Sequence, residues 1–317
     1  PQGTQAVATV HDGDAGAQLV TYITLDQTAA ADHDTEIVEE WQQMYDDLYD
    51  AEVGLPEFGV DFRGWNSSYT LDPIPLVEME EWRSTTVDRI LALQPRRVLE
   101  IGAGSGLLLS QIAPHCEHYV ATDMSAVAID NLARSLAQLD IPWRDRVELL
   151  TRPAHDTEAL PQGGFDTIVI NSTIQYFPNR GYLAEVLHKA VGLLSAGGSL
   201  FIGDVRNHSL QRAFQTAVAL ARTTAADTAE IRERVHRAMV SEAELLLAPE
   251  FFTTWAADHP DIAGLDVQVK RGSADNELTR YRYDVTVHKA PTPARSVADD
   301  PPWTWGECDG LHGPQSR

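Results

Sequence analysis

Residues 98 to 106 read Val98-Leu99-Glu100-Ile101-Gly102-Ala103-Gly104-Ser105-Gly106, an apolar strand that runs into three closely spaced glycines and then into a helical pattern. Glycine lets the backbone turn sharply and come close to a ligand, and an acid just before the turn, here Glu100, projects beyond the carboxyl end of the strand. The next apolar strand, HYVATD, ends at Asp123, 17 positions after Gly106. That is about the spacing at which an acid following a second strand accepts ribose hydroxyls. A purely structural glycine turn would leave that acid without a reason, so the pattern points to a nucleotide-type crevice at the edge of a parallel sheet.

Working outward, short apolar strands alternate with helical patterns: RVLEI, LLLSQIAP, HYVATD, SAVAIDNLARSLAQL, VELLT, FDTIVIN, YLAEVLHKAVGLL, SLFIGD. This alternation implies an α/β fold with helices on both faces of a mostly parallel sheet. Gly197 and Gly198 are expected to stop the helix before SLFIGD, and a long helical stretch is expected from after Asp204 to about Leu247. VQVKR and YRYDVTVHK then read as an antiparallel edge pair, which brings the sheet to seven strands. Upstream, residues 5–10 and 18–25 form a hairpin signal around HDGDAGA, too small to be stable alone and so part of a sheet completed elsewhere. Residues 26–35 read as a polar connector, and Ile37, Trp41, Met44, Tyr45 and Leu48 give one face of a helix over Glu36–Tyr49. A second helix spans Leu76–Leu91, and the aromatic, Gly- and Pro-rich stretch between them (58–76) reads as a functional loop.

The chain has 317 residues, 43% of them hydrophobic, enough for a sizeable core without disulfide staples. Its two cysteines, Cys116 and Cys308, lie far apart, which suits a reducing, cytoplasmic setting. His115 and His118 have no third ligand nearby, so no metal site is expected. The formal net charge of -23 repels a phosphate backbone and argues against nucleic acid. Residues 1–92 alone hold 19 acids against 3 arginines. No apolar run approaches a bilayer span of about 20 residues, and the start of the sequence lacks a leader pattern, so neither membrane nor secretion is expected.

A dinucleotide fingerprint spaces its glycines as G-x-G-x-x-G, whereas these run G-x-G-x-G after a glutamate. The motif resembles the first motif of class I S-adenosylmethionine-dependent methyltransferases. Five blocks narrow this further: GWNSSYTLDPIPLVEMEEWR (64–83), VLEIGAGSGLLL, INSTIQYFP, GGSLFIGDVRN (197–207) and NELTRYRYDV (276–285). Residues 36–289 are similar, through them, to the N-methyltransferase domain embedded in nonribosomal peptide synthetases. Residues 1–30 resemble a hairpin of an adenylation domain, and residues 290–317 a linker and adenylation fragment, as if the methyltransferase interrupted that domain. The resemblance implies a Rossmann-like class I methyltransferase fold with an N-terminal helical lid and S-adenosyl-L-methionine as cofactor. It implies N-methylation of the backbone amine of an aminoacyl group tethered to a peptidyl carrier protein. A flanking adenylation domain and an MbtH-like protein are its further expected partners. Free-standing C- or O-methylation of a small amino or keto acid, or a non-catalytic scaffold, are the alternatives.

Carried onto this sequence, the resemblance assigns cofactor binding to Glu100, Gly102, Ala103, Gly104, Asp123 and Met124, with Glu100 orienting the amino acid end. The adenine site falls on Arg152-Pro153-Ala154-His155-Asp156, where the family's usual acid is replaced by Pro153. Asp156, or backbone groups of Ala154 and His155, then take that role. Asn171 and Tyr176, at the end of the fourth strand, belong to the pocket, and Tyr69 with Trp65 and Asn66 either folds over the cofactor or plugs the core beneath the first helices. An α-amine needs no strong base, because with a pKa of about 7.7 to 8.0 a useful fraction is unprotonated at neutral pH. Asn171, Tyr176, Asp204 and Glu277 are the candidates to hold it; the alternatives are a buried ion pair with Arg206 for Asp204 and an exposed loop position for Glu277. For docking an acidic carrier, the basic candidates are Arg206, Arg212, Lys270, Arg271, Arg280 and Arg282.

Overall fold

The structure, a computed structural model, describes residues 3–13, 16–25, 27–50, 57–223 and 227–292. The chain opens with β1 (Gly3–Gly13), β2 (Gly16–Leu25), α1 (Gln27–Asp50) and α2 (Leu76–Leu91). There follow β3 (Arg97–Ile101), α3 (Leu109–Ile112), β4 (His118–Asp123), α4 (Ala126–Gln138), β5 (Val147–Thr151), β6 (Phe165–Asn171), α5 (Arg180–Leu193) and β7 (Leu194–Arg206). It ends with α6 (Gln211–Ala221), α7 (Thr228–Val240), α8 (Pro249–Ala257), β8 (Ile262–Val269), α9 (Glu277–Tyr281) and β9 (Arg282–Lys289). The main sheet has the order β5-β4-β3-β6-β7-β9-β8, and β9 alone runs against the other six.

Both faces of this sheet are covered. Val98 and Leu99 are adjacent, point to opposite faces and are both 0% exposed. Leu99 packs with Leu183, Val186 and Leu187 of α5, Val98 with Val87 and Ile90 of α2 and Ile112 of α3. Two-sided burial is why RVLEI and FDTIVIN read as nearly continuous apolar runs.

Several boundaries differ from the sequence reading. The expected connector 26–35 is helical from Gln27; Ala29, Ala30 and Ala31 supply helix propensity without the bulky periodicity that reveals an amphipathic face. The helix before β7 ends at Leu193, not at Gly197–Gly198, because the next residue, fully buried Leu194, is already paired with Phe165 in the sheet. The long helix expected after Asp204 is two helices, α6 and α7, the second capped by Asp227, followed by an irregular stretch that carries Glu242 and Glu244 back to Arg206. Asp204 itself lies within β7, at a bulge. β8 ends at Val269, so Lys270 and Arg271 follow the strand. The hairpin is a separate two-stranded sheet in which Val7, directly paired with Tyr22, is 65% exposed. Residues 293–317, with Cys308, lie outside the described residues.

Candidate active site

The carboxyl ends of β3, β4 and β6 meet under α1 and the loop 57–75 around a cavity of about 820 Å³. At its floor Gly102 takes φ +81°, and a Cβ there would stand 2.3 Å from Thr173 Oγ1, so neither the conformation nor the space admits a side chain. The turn then offers Gly104 N–H to Asp123 Oδ2 at 2.8 Å, while Ser125 N–H donates to Asp123 Oδ1 at 2.9 Å. Asp123 is thus clamped between the turn after β3 and the start of α4. Burial pushes its carboxyl up from the usual range, against the pull of those backbone donors. Glu100 is 3% exposed beneath the turn and accepts a hydrogen bond from Tyr119 O–H at 2.8 Å. Burial raises its carboxyl to about 8, the Tyr119 hydroxyl opposing and the nearby Asp123 charge adding to the shift.

The roof comes from α1. Trp41 and Tyr45 lie 4.7 and 5.1 Å, ring to ring, from Tyr176, and Tyr49 stacks on Tyr45 at 5.9 Å. The helix is tied down along its length: Asn179 Nδ2 donates to Asp34 Oδ1 at 2.8 Å, Asn131 Nδ2 to the Tyr49 carbonyl at 3.1 Å, and Ser125 Oγ to Asp46. The loop is anchored by Glu277, whose carboxylate accepts from Ser68 N–H and Ser68 Oγ, both at 2.7 Å; Trp65 packs on Trp82 at 4.6 Å, and the Arg282 guanidinium lies over the Trp65 ring at 5.8 Å.

Beyond the turn, Asn171 at the end of β6 and Gln175 line the same cavity. Both are buried, and Asn171 Oδ1 and Gln175 Oε1 have no hydrogen-bond partner among the described residues. Asn171 Nδ2 donates to Ser172 Oγ at 3.2 Å, and Ser172 Oγ donates to Asp204 Oδ2 at 2.7 Å.

Most of the residues singled out in the sequence therefore converge: Glu100, Gly102, Ala103, Gly104, Asp123 and Met124 at one end, and Ala154, Asn171, Tyr176 and Glu277 around the rest. Three do not. His155 turns away to Tyr182, its Nδ1 2.8 Å from the hydroxyl, because Tyr182 and Lys189 of α5 hold its ring and carbonyl. Tyr69 packs edge-on to Phe214 and does not line the cavity. Asp204 is 0% exposed behind the cavity wall, and its ion pair is with Arg282 and, at 3.8 Å, Lys270 rather than with Arg206. Glu277 is buried at the start of α9 rather than exposed in a loop. Sequence reasoning missed Trp41, Tyr45 and Tyr49 as cavity walls, together with Gln175, Glu244 and Arg282. Four of the six docking candidates are consumed internally: Arg206 by Glu242 and Glu244, Lys270 and Arg282 by Asp204, and Arg280 by Asp275. Arg212 and Arg271 stay exposed.

The family described as a methyltransferase domain matches residues 99–200. The chain is 46% identical over 308 residues to the probable non-canonical nonribosomal peptide synthetase CymA of Salinispora arenicola, covering 96% of this chain and 4% of that protein. To chondramide synthase cmdD of Chondromyces crocatus it is 40% identical over 284 residues, covering 88% of this chain and 7% of the synthase. It thus spans a small fraction of the length of these relatives. Among solved structures, the N-methyltransferase NodS of Bradyrhizobium japonicum in complex with S-adenosyl-L-homocysteine shares the fold, with a TM-score of 0.50 at 14% identity over 78% of this chain and 98% of that one. Glycine turn, sheet order and relatives agree on an S-adenosylmethionine-dependent methyltransferase, similar over most of its length to a segment of nonribosomal peptide synthetases.

Proposed function

We propose that this domain methylates the backbone amine of an aminoacyl group tethered by a phosphopantetheine arm to a peptidyl carrier protein. The observation that carries the reading is the pair of unpartnered amide oxygens, Asn171 Oδ1 and Gln175 Oε1, on side chains that line the cavity. A buried acceptor without a partner costs about 1–3 kcal/mol, which an N–H donor recovers. An amine offers such donors while keeping its lone pair for attack. A carboxylate brings acceptors only.

The chain also fits the cofactor. Gly102 and Gly104 form a cradle that a Cβ would fill, and the acids Glu100 and Asp123 flank it. In this reading Asp123 takes the ribose, Glu100 the α-ammonium, and Ala154 with the neighbouring backbone the adenine edge. S-adenosylmethionine supplies an activated methyl whose leaving group departs neutral. The protein's contribution is then mainly orientation and the exclusion of water. Tyr176, under Trp41 and Tyr45, closes the acceptor side, and Asn171 holds the amine.

Glu100 makes a measurable difference here. Its raised carboxyl, at about 8 against an ordinary 4.5, is protonated at neutral pH, and a cationic ammonium favours its ionised form. Cofactor binding at pH 7 is therefore expected to release a proton, with affinity rising toward about pH 8 and falling above it as the ligand's own ammonium deprotonates. Titration calorimetry in buffers of different ionisation enthalpy reads the proton directly; no release would remove Glu100 from the ammonium site.

The two-stranded sheet, with Val7, Val10 and Tyr22 more than half exposed, supports reading residues 1–30 as an adenylation-domain hairpin and 36–289 as the methyltransferase. Residues 290–317 then read as a linker or a fragment of the flanking adenylation domain, with which an MbtH-like protein and a cytoplasmic location fit. No helix among the described residues is long and apolar enough to cross a membrane. The test is intact-mass analysis of a carrier loaded with candidate aminoacyl groups and incubated with cofactor and this protein. One added methyl group, located on the backbone nitrogen by fragmentation, is expected. A methyl on oxygen or carbon, or on free acids alone, overturns the reading.

A further inference from the structure

We propose that Ser172 and Asp204 are positioning residues that set the Asn171 amide, so that its carbonyl oxygen rather than its NH2 is left for the acceptor; the reading above enters only in naming that acceptor an amine. The argument follows the hydrogens. Ser172 Oγ lies 2.7 Å from Asp204 Oδ2 and 3.2 Å from Asn171 Nδ2. An ionised carboxylate can only accept, so the hydroxyl proton goes to Asp204 and the Ser172 oxygen is left as an acceptor. Of the two ends of the Asn171 amide only Nδ2 can donate to it, which leaves Oδ1 unpartnered.

The charge that sets this direction is secure. Asp204 is fully buried against Arg282, Lys270 and, at 3.1 Å, the Trp82 indole N–H. Burial works against ionisation, but the two cations and the two hydrogen bonds outweigh it and hold the carboxyl below its usual range. The backbone makes room for the same arrangement. Ser172, just after β6, and Asp204, at the bulge in β7, both take left-handed φ, +53° and +64°, conformations that persist only where surrounding contacts over-determine them. Gly203, paired with Asn171 in the sheet, lies under the amide, where a Cβ would come within 2.0 Å of Oδ1.

Ser172→Gly isolates the relay, since glycine adopts the required φ freely and the variant sheds strain while losing only the hydroxyl. Its thermal midpoint and cofactor affinity are expected to hold while kcat falls about tenfold, roughly the worth of one hydrogen bond in the transition state. In an Asn171→Ala background the same change should have no further effect, because the relay acts through that amide. In 15N-labelled protein the Asn171 side-chain NH2 protons should exchange with solvent faster in Ser172→Gly than in the wild type. Parallel loss of stability or cofactor affinity, additive effects in the double variant, or unchanged exchange overturns the proposal. The exchange measurement needs no acceptor, so a failure of the amine reading and a failure of the relay are told apart.

Discussion

Asp204→Ala is expected to cost about 3 to 5 kcal/mol of folding stability, the magnitude typical of removing one member of a buried ionic network and leaving its partners uncompensated. The residue is 0% exposed, and its two oxygens engage Arg282, Ser172 Oγ, Trp82 Nε1 and, at 3.8 Å, Lys270. The loss is unequal among these partners. Lys270 keeps Asp284 Oδ1 at 3.1 Å, but Arg282 loses its direct carboxylate contact, so the damage centres on the cavity wall and the cost should fall nearer the lower bound. Chemical denaturation followed by circular dichroism checks this; a change under about 1 kcal/mol would mean that water reaches Arg282 and that the network is not closed. Asp204 was a candidate to touch the acceptor, and the expected signature separates the roles: a group contacting only the acceptor would lower the rate without unfolding the protein.

That residue shows where the sequence stops being informative. An acid after an apolar strand reads equally well as a ligand-facing carboxylate or as one half of a buried pair. What decides is Arg282, 78 positions away, which reaches it only because β9 inserts beside β7. The parallel core was legible because its signal is local: RVLEI, HYVATD and FDTIVIN each carry their own strand pattern, and the glycines fix the turn within nine residues. That Gly102, Gly104 and Asp123 share one cavity was legible for the same reason. The roof was not legible as a site, since Trp41 and Tyr45 sit at helical spacing and a helical aromatic face looks the same whether it covers a core or a cavity. Only the ties through Asp34, Asp46 and Tyr49, made to residues 79 or more positions away, show which it covers. Tyr69 failed in the opposite direction. Its neighbours Trp65, Asn66 and Ser68 do line the cavity, but Glu277 grips the chain at Ser68 and the next residue falls beside Phe214.

Asp123→Ala is expected to weaken cofactor binding by about 1.5 to 3 kcal/mol, or roughly ten- to more than a hundredfold in Kd, through two losses at once. The first, on the reading proposed above, is the charge-assisted contact of Asp123 to the ribose hydroxyls. The second is internal: Asp123 Oδ2 and Oδ1 hold the N–H groups of Gly104 and Ser125, so removing the carboxylate frees the glycine turn as well as the start of α4. Asp123→Asn keeps the size of the side chain but loses the charge and one of the two acceptors. One amide oxygen can satisfy one backbone donor, but the NH2 then faces the other N–H, so the turn is still disturbed and affinity should fall nearly as far as in the alanine variant. Isothermal titration with S-adenosylmethionine and with S-adenosylhomocysteine measures both variants, and the neutral sulfur of the second ligand leaves the ribose contact intact, so the two ligands should lose affinity by the same factor. Unchanged affinity in a folded variant would take Asp123 out of the site. A loss confined to the sulfonium ligand would mean that the carboxylate acts through its charge on the sulfur rather than through the ribose.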